Sequence, residues 1–229
     1  MQLLTICLVT DSRRLAGPRA ADSDRRRCLL AQARFAVDAG VDLIQVRERD
    51  LEAAALADSV SELVTVTRGT ATRIVVNDRL DVALACGAGG VHLRADSIPI
   101  AAARRLAPGG FLVGRSVHTA RAAADASDAD YLVAGTVFPS LSKDLSHRLL
   151  GVDGLRAIVA ATAVPVLAIG GISVDNVDAV AATGVAGVAA IGLFMQSPGE
   201  RNDRACAATD LRAVVAGLRA RFDRVNTAP

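Results

Sequence analysis

The feature that most constrains this fold is an alternation of short apolar runs and helix-like segments along the whole chain. Eight strand-like runs of about five residues are predicted, and several are continuously apolar. A continuously apolar run indicates a strand that is buried on both faces, as in a parallel sheet covered by helices. The predicted strands are residues 4–9, 42–46, 73–76, 90–93, 111–115, 131–134, 166–169 and 187–191.

Segments rich in Ala, Leu and Arg lie between these runs, and their apolar residues recur at helical spacing. Because no break in composition interrupts the alternation, we predict an α/β protein with a single (β/α)8 TIM barrel spanning 1–229. An open doubly wound sheet is the competing architecture, but it rarely needs eight strands spaced this evenly. The predicted helices are residues 25–38, 51–66, 79–86, 98–106, 120–126, 152–160, 174–183 and 200–222.

The composition excludes several classes of protein. Net charge is +2, with 26 basic and 24 acidic residues, so the chain lacks the basic character of nucleic-acid-binding proteins. No apolar run is long enough to span a membrane, and no cationic segment precedes the N-terminal run as in a signal peptide. We therefore expect no nucleic-acid or membrane partner. The composition does not predict the oligomeric state. Without a C-x-x-C pair, the four cysteines are interpreted as buried thiols, which predicts a cytoplasmic protein (Cys7, Cys28, Cys86 and Cys206).

In a parallel barrel the active site lies at the carboxyl ends of the strands, so polar residues after each run are the candidates. The stretch VNDRLDVALACGAGGVHL ends one strand at Asn77 and Asp78, and the next at His92. Ser116 and His118 follow the fifth strand. His92 is interpreted as a core histidine, and His118 is the stronger candidate for the rim.

The stretch IQVRERD places Gln45, Arg47 and Arg49 at alternate positions, which share one face of an extended chain. Two guanidiniums and an amide on one face favour an anion with several oxygens, because Arg binds phosphate in a bidentate fork. A solvated strand end is the alternative interpretation.

Two further stretches favour anion binding. FPSLSKD supplies Ser140, Ser142 and Lys143 within the longest loop that follows a strand. Gly170, Gly171 and Gly192 follow strands seven and eight, where barrels often bind phosphate, and glycine lets backbone approach a ligand closely. The helix after strand seven is expected to add its N-terminal N–H groups. A glycine turn that serves only the chain geometry is the alternative. The sequence thus predicts two anion sites on one rim.

Asp78 has two possible roles. Its carboxylate is a ligand that magnesium accepts, and a phosphate-binding rim makes such an ion useful. Asp is also a common N-cap, and a predicted helix begins at the next residue. Both roles can hold together.

The chain resembles the thiamine phosphate synthase family, which includes the thiazole tautomerases. The resemblance covers roughly residues 40 to 195 and rests on an ordered set of motifs: IQVRERD, VNDRLDVALACGAGGVHL, VGRSVH, DADYLVAGTVFPSLSK, VPVLAIGGISVDNV and GVAGVAAIGLF. It implies a magnesium-dependent transferase that joins a pyrimidine methyl diphosphate to a thiazole phosphate and releases pyrophosphate. Its substrates would be small phosphorylated molecules.

The resemblance also implies roles for individual residues. Arg47 and Lys143 match catalytic contacts to the diphosphate, and Asp78 matches a metal ligand. Ser140 and Ser142 correspond to residues near the thiazole. Pyrimidine and diphosphate contacts are implied for Gln45, Arg47, Arg49, Asn77, Ser116 and Lys143, and thiazole phosphate contacts for Gly170, Gly171 and Gly192.

Several positions depart from the family pattern. Arg49 replaces a usual Lys, and Gly192 replaces a usual Ser. Ser97 stands where the second metal carboxylate is usual, so Asp96, one residue earlier, becomes the candidate and a weak magnesium site is expected. Thr136 stands where the related tautomerases carry a catalytic His. The alternatives to a synthase are a tautomerase-like isomerase and a binding protein without turnover.

Overall fold

A computed structural model describes residues 4–139, 149–195 and 210–227. Eight parallel strands hydrogen-bond in chain order, and β1 pairs with β8 to close the barrel. The predicted fold class is therefore confirmed, and each predicted strand agrees with the observed one to within two residues at either end. The strands are β1 (Thr5–Val9), β2 (Leu43–Val46), β3 (Arg73–Asn77), β4 (Gly90–Leu93), β5 (Leu112–Val117), β6 (Tyr131–Gly135), β7 (Val166–Ile169) and β8 (Gly187–Ala190).

Helices surround the barrel and connect successive strands. A five-residue helix after β1 was not predicted, because its sequence SRRLA is too short to show a period. The last helix was predicted to begin at residue 200, and residues 196–209 lie outside the described part of the chain. The helices are α1 (Ser12–Ala16), α2 (Asp22–Ala39), α3 (Ala53–Thr67), α4 (Leu80–Ala85), α5 (Ile100–Leu106), α6 (Ala120–Ala124), α7 (Gly151–Ala160), α8 (Val177–Ala181) and α9 (Leu211–Thr227).

Two apolar layers hold this arrangement together. The larger layer lies between strands and helices and includes Ile6, Leu8 and Ile44, all almost fully buried. The smaller layer fills the barrel interior, because alternate strand residues point inward. It contains Cys7, Val9, Leu43, Val75, Tyr131, Val133, Leu167 and Ala189.

Tyr131 is the large side chain of the interior, and Gly114 on the neighbouring strand makes room for it. A Cβ atom at Gly114 would lie 2.2 Å from Tyr131 Cζ. The phenol ring stacks on His92 with 5.6 Å between ring centroids. The buried aromatic pair fills the barrel interior beneath the rim.

Two expectations about the environment of the chain fare differently. Among the described helices, none combines the length and the hydropathy that a membrane crossing requires. The interpretation of all four cysteines as thiols was wrong for Cys28, which is disulfide-bonded, whereas Cys7 and Cys86 are free. Spacing along the chain carries no sign of such a pairing. The cytoplasmic location stays a prediction.

Candidate active site

A cavity of about 780 Å³ opens at the carboxyl ends of the strands. Most predicted rim residues line it, although they are far apart in sequence. Ser140, Ser142 and Lys143 lie outside the described residues. The predicted residues that line the cavity are Gln45, Arg47, Arg49, Asn77, Asp96, Ser116, His118, Gly170, Gly171 and Gly192.

Side chains from β2 and β3 form one wall. Gln45 Nε2 donates to Asn77 Oδ1 at 3.0 Å, so the Asn77 amide nitrogen remains a donor for a ligand. Arg47 and Arg49 follow β2 directly and both line the cavity, as their alternation predicted. Burial, and then the neighbouring Arg49 charge, lower the pKa of Arg47, yet an arginine stays protonated at neutral pH. Two positive charges on one face of the cavity favour a multiply charged anion.

Glu48 lies between these two arginines and points away from the cavity into a buried cluster. Its carboxylate accepts hydrogen bonds from Ser12 Oγ at 2.5 Å and from Ser12 N at 3.1 Å. Arg25 Nη2 in turn donates to Ser12 Oγ at 3.2 Å and to Asp50 Oδ2 at 2.7 Å. The cluster ties the start of α1 to the loop after β2, and so fixes the backbone that carries Arg47 and Arg49.

The ends of β4 and β5 meet at His92 and Ser116. His92 Nε2 lies 2.8 Å from Ser116 Oγ, and burial lowers the pKa of His92 to about 4. His92 is therefore neutral at neutral pH, as a core histidine should be. Its Nδ1 has no hydrogen-bond partner among the described residues. A neutral ring fixes the Ser116 hydroxyl at the cavity wall without adding a charge.

His118 lies at the rim, as predicted, and is held by backbone. Its Nδ1 lies within hydrogen-bond distance of the Gly135 carbonyl oxygen. Because a carbonyl oxygen only accepts, Nδ1 carries a proton and donates it to this oxygen, which fixes the orientation of the ring. The next residue, Thr136, is buried and also lines the cavity.

The two predicted metal ligands share an arginine. Arg94 forms a fork with Asp96, with Nη2 to Oδ2 at 2.8 Å and Nε to Oδ1 at 3.0 Å. Arg94 Nε also lies 3.3 Å from Asp78 Oδ2. Within the described ranges, no group of three or more His, Cys, Asp or Glu side chains is arranged to hold a metal. The carboxylates thus already face a cation of the protein itself.

Asp78 is not the N-cap of α4, so that alternative was wrong. The N-cap is Arg79, which makes no side-chain capping bond. Asp78 has a φ of 62°, in the left-handed region that few residues other than glycine adopt. Its carboxylate turns toward Arg94 rather than toward the helix. Asp78 does not itself line the cavity, but its carboxylate reaches Arg94, which does.

Backbone forms the opposite wall, at the ends of β7 and β8. Gly170 and Gly171 have φ values of 104° and 63°, which an L side chain rarely adopts. A Cβ atom at Gly170 would lie 2.4 Å from Thr136 Cγ2, and one at Gly171 would lie 2.4 Å from the Pro139 carbonyl oxygen. These glycines are therefore required by the close approach of the β6 loop as well as by the turn.

The helix after β7 begins later than predicted, and its role as a phosphate contact stays a prediction. α8 begins only at Val177 and has five residues, which is too short to focus a dipole on the rim. Asn176 caps the turn before it instead, because its Oδ1 accepts from Ser173 N at 2.9 Å and its Nδ2 donates to Gly171 O at 2.8 Å. The backbone amide groups of the glycine turn are the candidate donors of this wall.

Arg14 on α1 is a cavity residue that sequence reasoning missed. Its guanidinium lies beside Gly192, where a Cβ atom would be 3.3 Å from Nη2. The stretch DSRRLA follows β1, so the rule that polar residues after each strand lie at the rim applies to Arg14 as well. No pattern in the sequence signals the Arg94 pairing, because it depends on how two loops turn.

Comparisons with known proteins agree with this geometry. Residues 17–194 match the family model described as thiamine monophosphate synthase. A thiamine-phosphate synthase from Methanoregula boonei is 44% identical over 182 residues, which cover 79% of this chain and 82% of the relative. A thiamine-phosphate synthase from Chloroflexus aurantiacus is 36% identical over 197 residues, covering 85% and 89% of the two chains.

Solved structures show the same likeness. A thiamine phosphate pyrophosphorylase from Pyrococcus furiosus superposes with a TM-score of 0.77 at 33% identity, covering 97% of this chain and 96% of the other. A 3-hexulose-6-phosphate synthase superposes with a TM-score of 0.62 at 17% identity, covering 95% of this chain and 99% of the other, which shows a shared fold alone.

Proposed function

This chain belongs to the thiamine monophosphate synthase family, and we propose how its rim performs the synthase reaction. The activity is that of a thiamine-phosphate synthase, a transferase that joins hydroxymethylpyrimidine diphosphate to thiazole phosphate and releases pyrophosphate. The observation that carries the proposal is the cavity itself, which has an arginine-bearing wall on one side and a glycine wall on the other.

The diphosphate is assigned to the wall formed by β2 and β3. Arg47 and Arg49 bring two positive charges to one face of the cavity, and a diphosphate offers several oxygens to their N–H groups. Lys143, outside the described residues, is proposed to add a third cation. The pyrimidine ring is assigned to Gln45, Asn77 and Ser116, whose amides and hydroxyl can donate to and accept from ring nitrogens.

The chemical step depends on departure of the diphosphate and needs no general base. The bond between the pyrimidine methylene carbon and the diphosphate oxygen breaks, and its electron pair leaves with the diphosphate. The lone pair of the thiazole nitrogen then forms the new bond to the methylene carbon, and no proton is transferred. Arg47 and Lys143 are proposed as the catalytic residues because fixed cations stabilise the negative charge that develops on the leaving diphosphate.

Thiazole phosphate is assigned to the backbone wall. The backbone N–H groups of Gly170, Gly171 and Gly192 are proposed to bind the phosphate, in a part of the cavity where larger residues could not fit or would narrow the space. Ser140 and Ser142, which lie outside the described residues, are proposed to contact the thiazole side. This placement directs the thiazole nitrogen toward the pyrimidine methylene group across the cavity.

Magnesium is proposed to bind weakly, and only together with the diphosphate. Asp78 and Asp96 supply hard oxygen ligands, which fit an ion that completes its shell with phosphate oxygens and water. Without the diphosphate, the ion would compete with Arg94 for both carboxylates. When bound, magnesium would neutralise part of the charge of the leaving group.

A tautomerase activity has less support. Thr136 lies in the cavity wall at the position where the related tautomerases carry a catalytic His, and a threonine hydroxyl is a poor acid or base at neutral pH. A binding protein without turnover would use the same cavity, so only an assay separates it from an enzyme.

The test is to incubate the protein with both substrates and magnesium, and to separate the products by chromatography. We expect thiamine phosphate and pyrophosphate in equal amounts. Loss of deuterium from a labelled thiazole carbon without coupling would support the isomerase instead. Thermal stabilisation by thiazole phosphate with neither product would support a binding protein.

A further inference from the structure

We propose that Arg14 is the charged side chain that binds the phosphate of thiazole phosphate, and that Gly192 is small so that Arg14 can reach it. This inference rests on the proposed function and adds a binding residue to it. It concerns the part of the rim where α1 and the turn after β8 meet.

The Arg14 guanidinium lies directly over Gly192. A Cβ atom at Gly192 would be 3.3 Å from Nη2, 3.6 Å from Nη1 and 3.8 Å from Cζ of Arg14. Both residues line the cavity, together with Gly170 and Gly171. A phosphate that accepts hydrogen bonds from the glycine turns therefore lies within reach of this guanidinium.

The backbone of Arg14 is fixed by hydrogen bonds at both ends of its short helix. Asp11 Oδ1 accepts from Arg14 N at 3.0 Å, and Gly17 N donates to Arg13 O at 3.1 Å. Ser12, next to these residues, is tied to the buried Glu48 carboxylate. Because the helix is held in place, little backbone freedom has to be lost when Arg14 binds a ligand.

The charge of Arg14 matters because this wall has little of its own. Among the described residues, the ends of β7 and β8 contribute no charged side chain to the cavity lining; they contribute Ile169, Gly170, Gly171, Ile172, Ala190, Ile191, Gly192 and Leu193. Backbone N–H groups orient a phosphate, but a guanidinium fork adds a full positive charge and two donors. Arg14 supplies the positive charge that the glycine wall lacks.

A side chain at position 192 would compete with Arg14. At 3.3 Å, a new Cβ atom would push the guanidinium by a few tenths of an ångström, which a flexible side chain can accommodate without damage to the barrel. A serine at this position would add a neutral hydroxyl donor at the cost of the charged one. The chain thus uses a charge at position 14 where a hydroxyl at position 192 could serve.

The first test compares Arg14→Gln with Arg13→Gln. Arg13 is the exposed neighbour on the same helix and does not line the cavity. We expect Arg14→Gln to weaken calorimetric binding of thiazole phosphate by roughly tenfold or more, because a charge-assisted fork is lost. The KM for thiazole phosphate should rise similarly, while the KM for the pyrimidine diphosphate and kcat change little. Arg13→Gln should behave as wild type, and the melting temperatures of both variants show whether weaker binding follows from lost stability.

The second test adds Gly192→Ser in both backgrounds. Alone, it should weaken thiazole phosphate binding because it displaces Arg14. In the Arg14→Gln protein it should strengthen binding, because the hydroxyl then has room and no guanidinium to displace. Additive effects would overturn the competition between the two positions.

The role of Arg14 would be overturned if Arg14→Gln weakened the binding of both substrates equally, or if it left the binding of thiazole phosphate unchanged. A wild-type protein that binds thiazole phosphate but forms no product would refute the proposed synthase reaction instead, and the binding data would still decide on Arg14.

Discussion

The two walls of the cavity are proposed to bind anions by different physical means. The wall of β2 and β3 uses long side chains, with Arg47 and Arg49 carried on a loop that the buried Glu48 cluster fixes. The wall of β7 and β8 uses backbone, with Gly170 and Gly171 in left-handed conformations against the β6 loop. A side chain can be shortened without moving its neighbours, whereas a backbone site has no side chain to remove and can only be blocked.

This difference predicts how mutations behave. On the arginine wall, substitution should remove attraction and leave the barrel intact. On the glycine wall, substitution should add bulk, displace the ligand and strain the turn. The two walls should also respond to different substrates, since each wall is assigned one phosphate-bearing partner.

The largest expected effect is that of Gly170→Val on thiazole phosphate. A Cβ atom here would lie 2.4 Å from Thr136 Cγ2, so the turn must move away from the ligand. Loss of several hydrogen bonds of about 1.5–3 kcal/mol each predicts weaker thiazole phosphate binding by roughly a hundredfold or more. Binding of the pyrimidine diphosphate should fall much less, which calorimetry with each substrate can measure.

Gly184→Val is the control for backbone strain. Gly184 also has positive φ, at 82°, but its Cβ atom would meet only Val159 Cγ1 at 3.6 Å and it lies outside the cavity lining. Gly184→Val should lower the free energy of unfolding without weakening the binding of one substrate more than that of the other. Equal loss of both substrates in Gly170→Val would mean general damage to the barrel.

The second effect tests His92, which packs with Tyr131 beneath both walls. Burial lowers the pKa of His92 to about 4, against about 6.5 in an unfolded chain. Between these values the unfolded state binds more protons, so stability falls as pH falls from about 6.5 to 4, by roughly 3 kcal/mol in total. Chemical denaturation across this range should show the loss, and His92→Gln should remove that part of it. A pH dependence that is identical in wild type and His92→Gln would contradict the buried neutral histidine.

On the arginine wall, Arg47→Ala should weaken binding of the pyrimidine diphosphate. Charge-assisted hydrogen bonds worth about 1.5–3 kcal/mol would be lost, which predicts at least tenfold lower activity at limiting pyrimidine diphosphate. Its melting temperature should change little. Arg121→Ala, which removes an exposed arginine of α6, is the matched control. An Arg47→Ala protein with wild-type activity would remove Arg47 from the site.

The smallest effect concerns the magnesium that is proposed to bind at Asp78 and Asp96. Ser97→Asp adds a carboxylate, and Arg94→Gln releases the two that are already present, so both should tighten magnesium binding by a few-fold, as expected for exposed charges. Magnesium titrations with and without pyrophosphate measure this. Tight binding to the ligand-free wild-type protein would show that Arg94 does not compete.

Much of this architecture was predictable because it repeats. Strands buried on both faces recur eight times, and the barrel brings their carboxyl ends together, so Gln45, Arg47 and Asn77 could be placed on one rim from spacing alone. What spacing could not show depends on side-chain direction in loops. Arg94 between Asp78 and Asp96, and Arg14 over Gly192, arise from turns whose geometry no short pattern encodes.

The claim that each wall binds a different ligand is tested most directly by a crystal structure of the wild-type protein with pyrophosphate and thiazole phosphate bound together. We predict pyrophosphate against Arg47 and Arg49, and the phosphate of the thiazole against the Gly170–Gly171 turn, with Arg14 over Gly192. Both ligands on the same wall, or exchanged between the walls, would contradict the account.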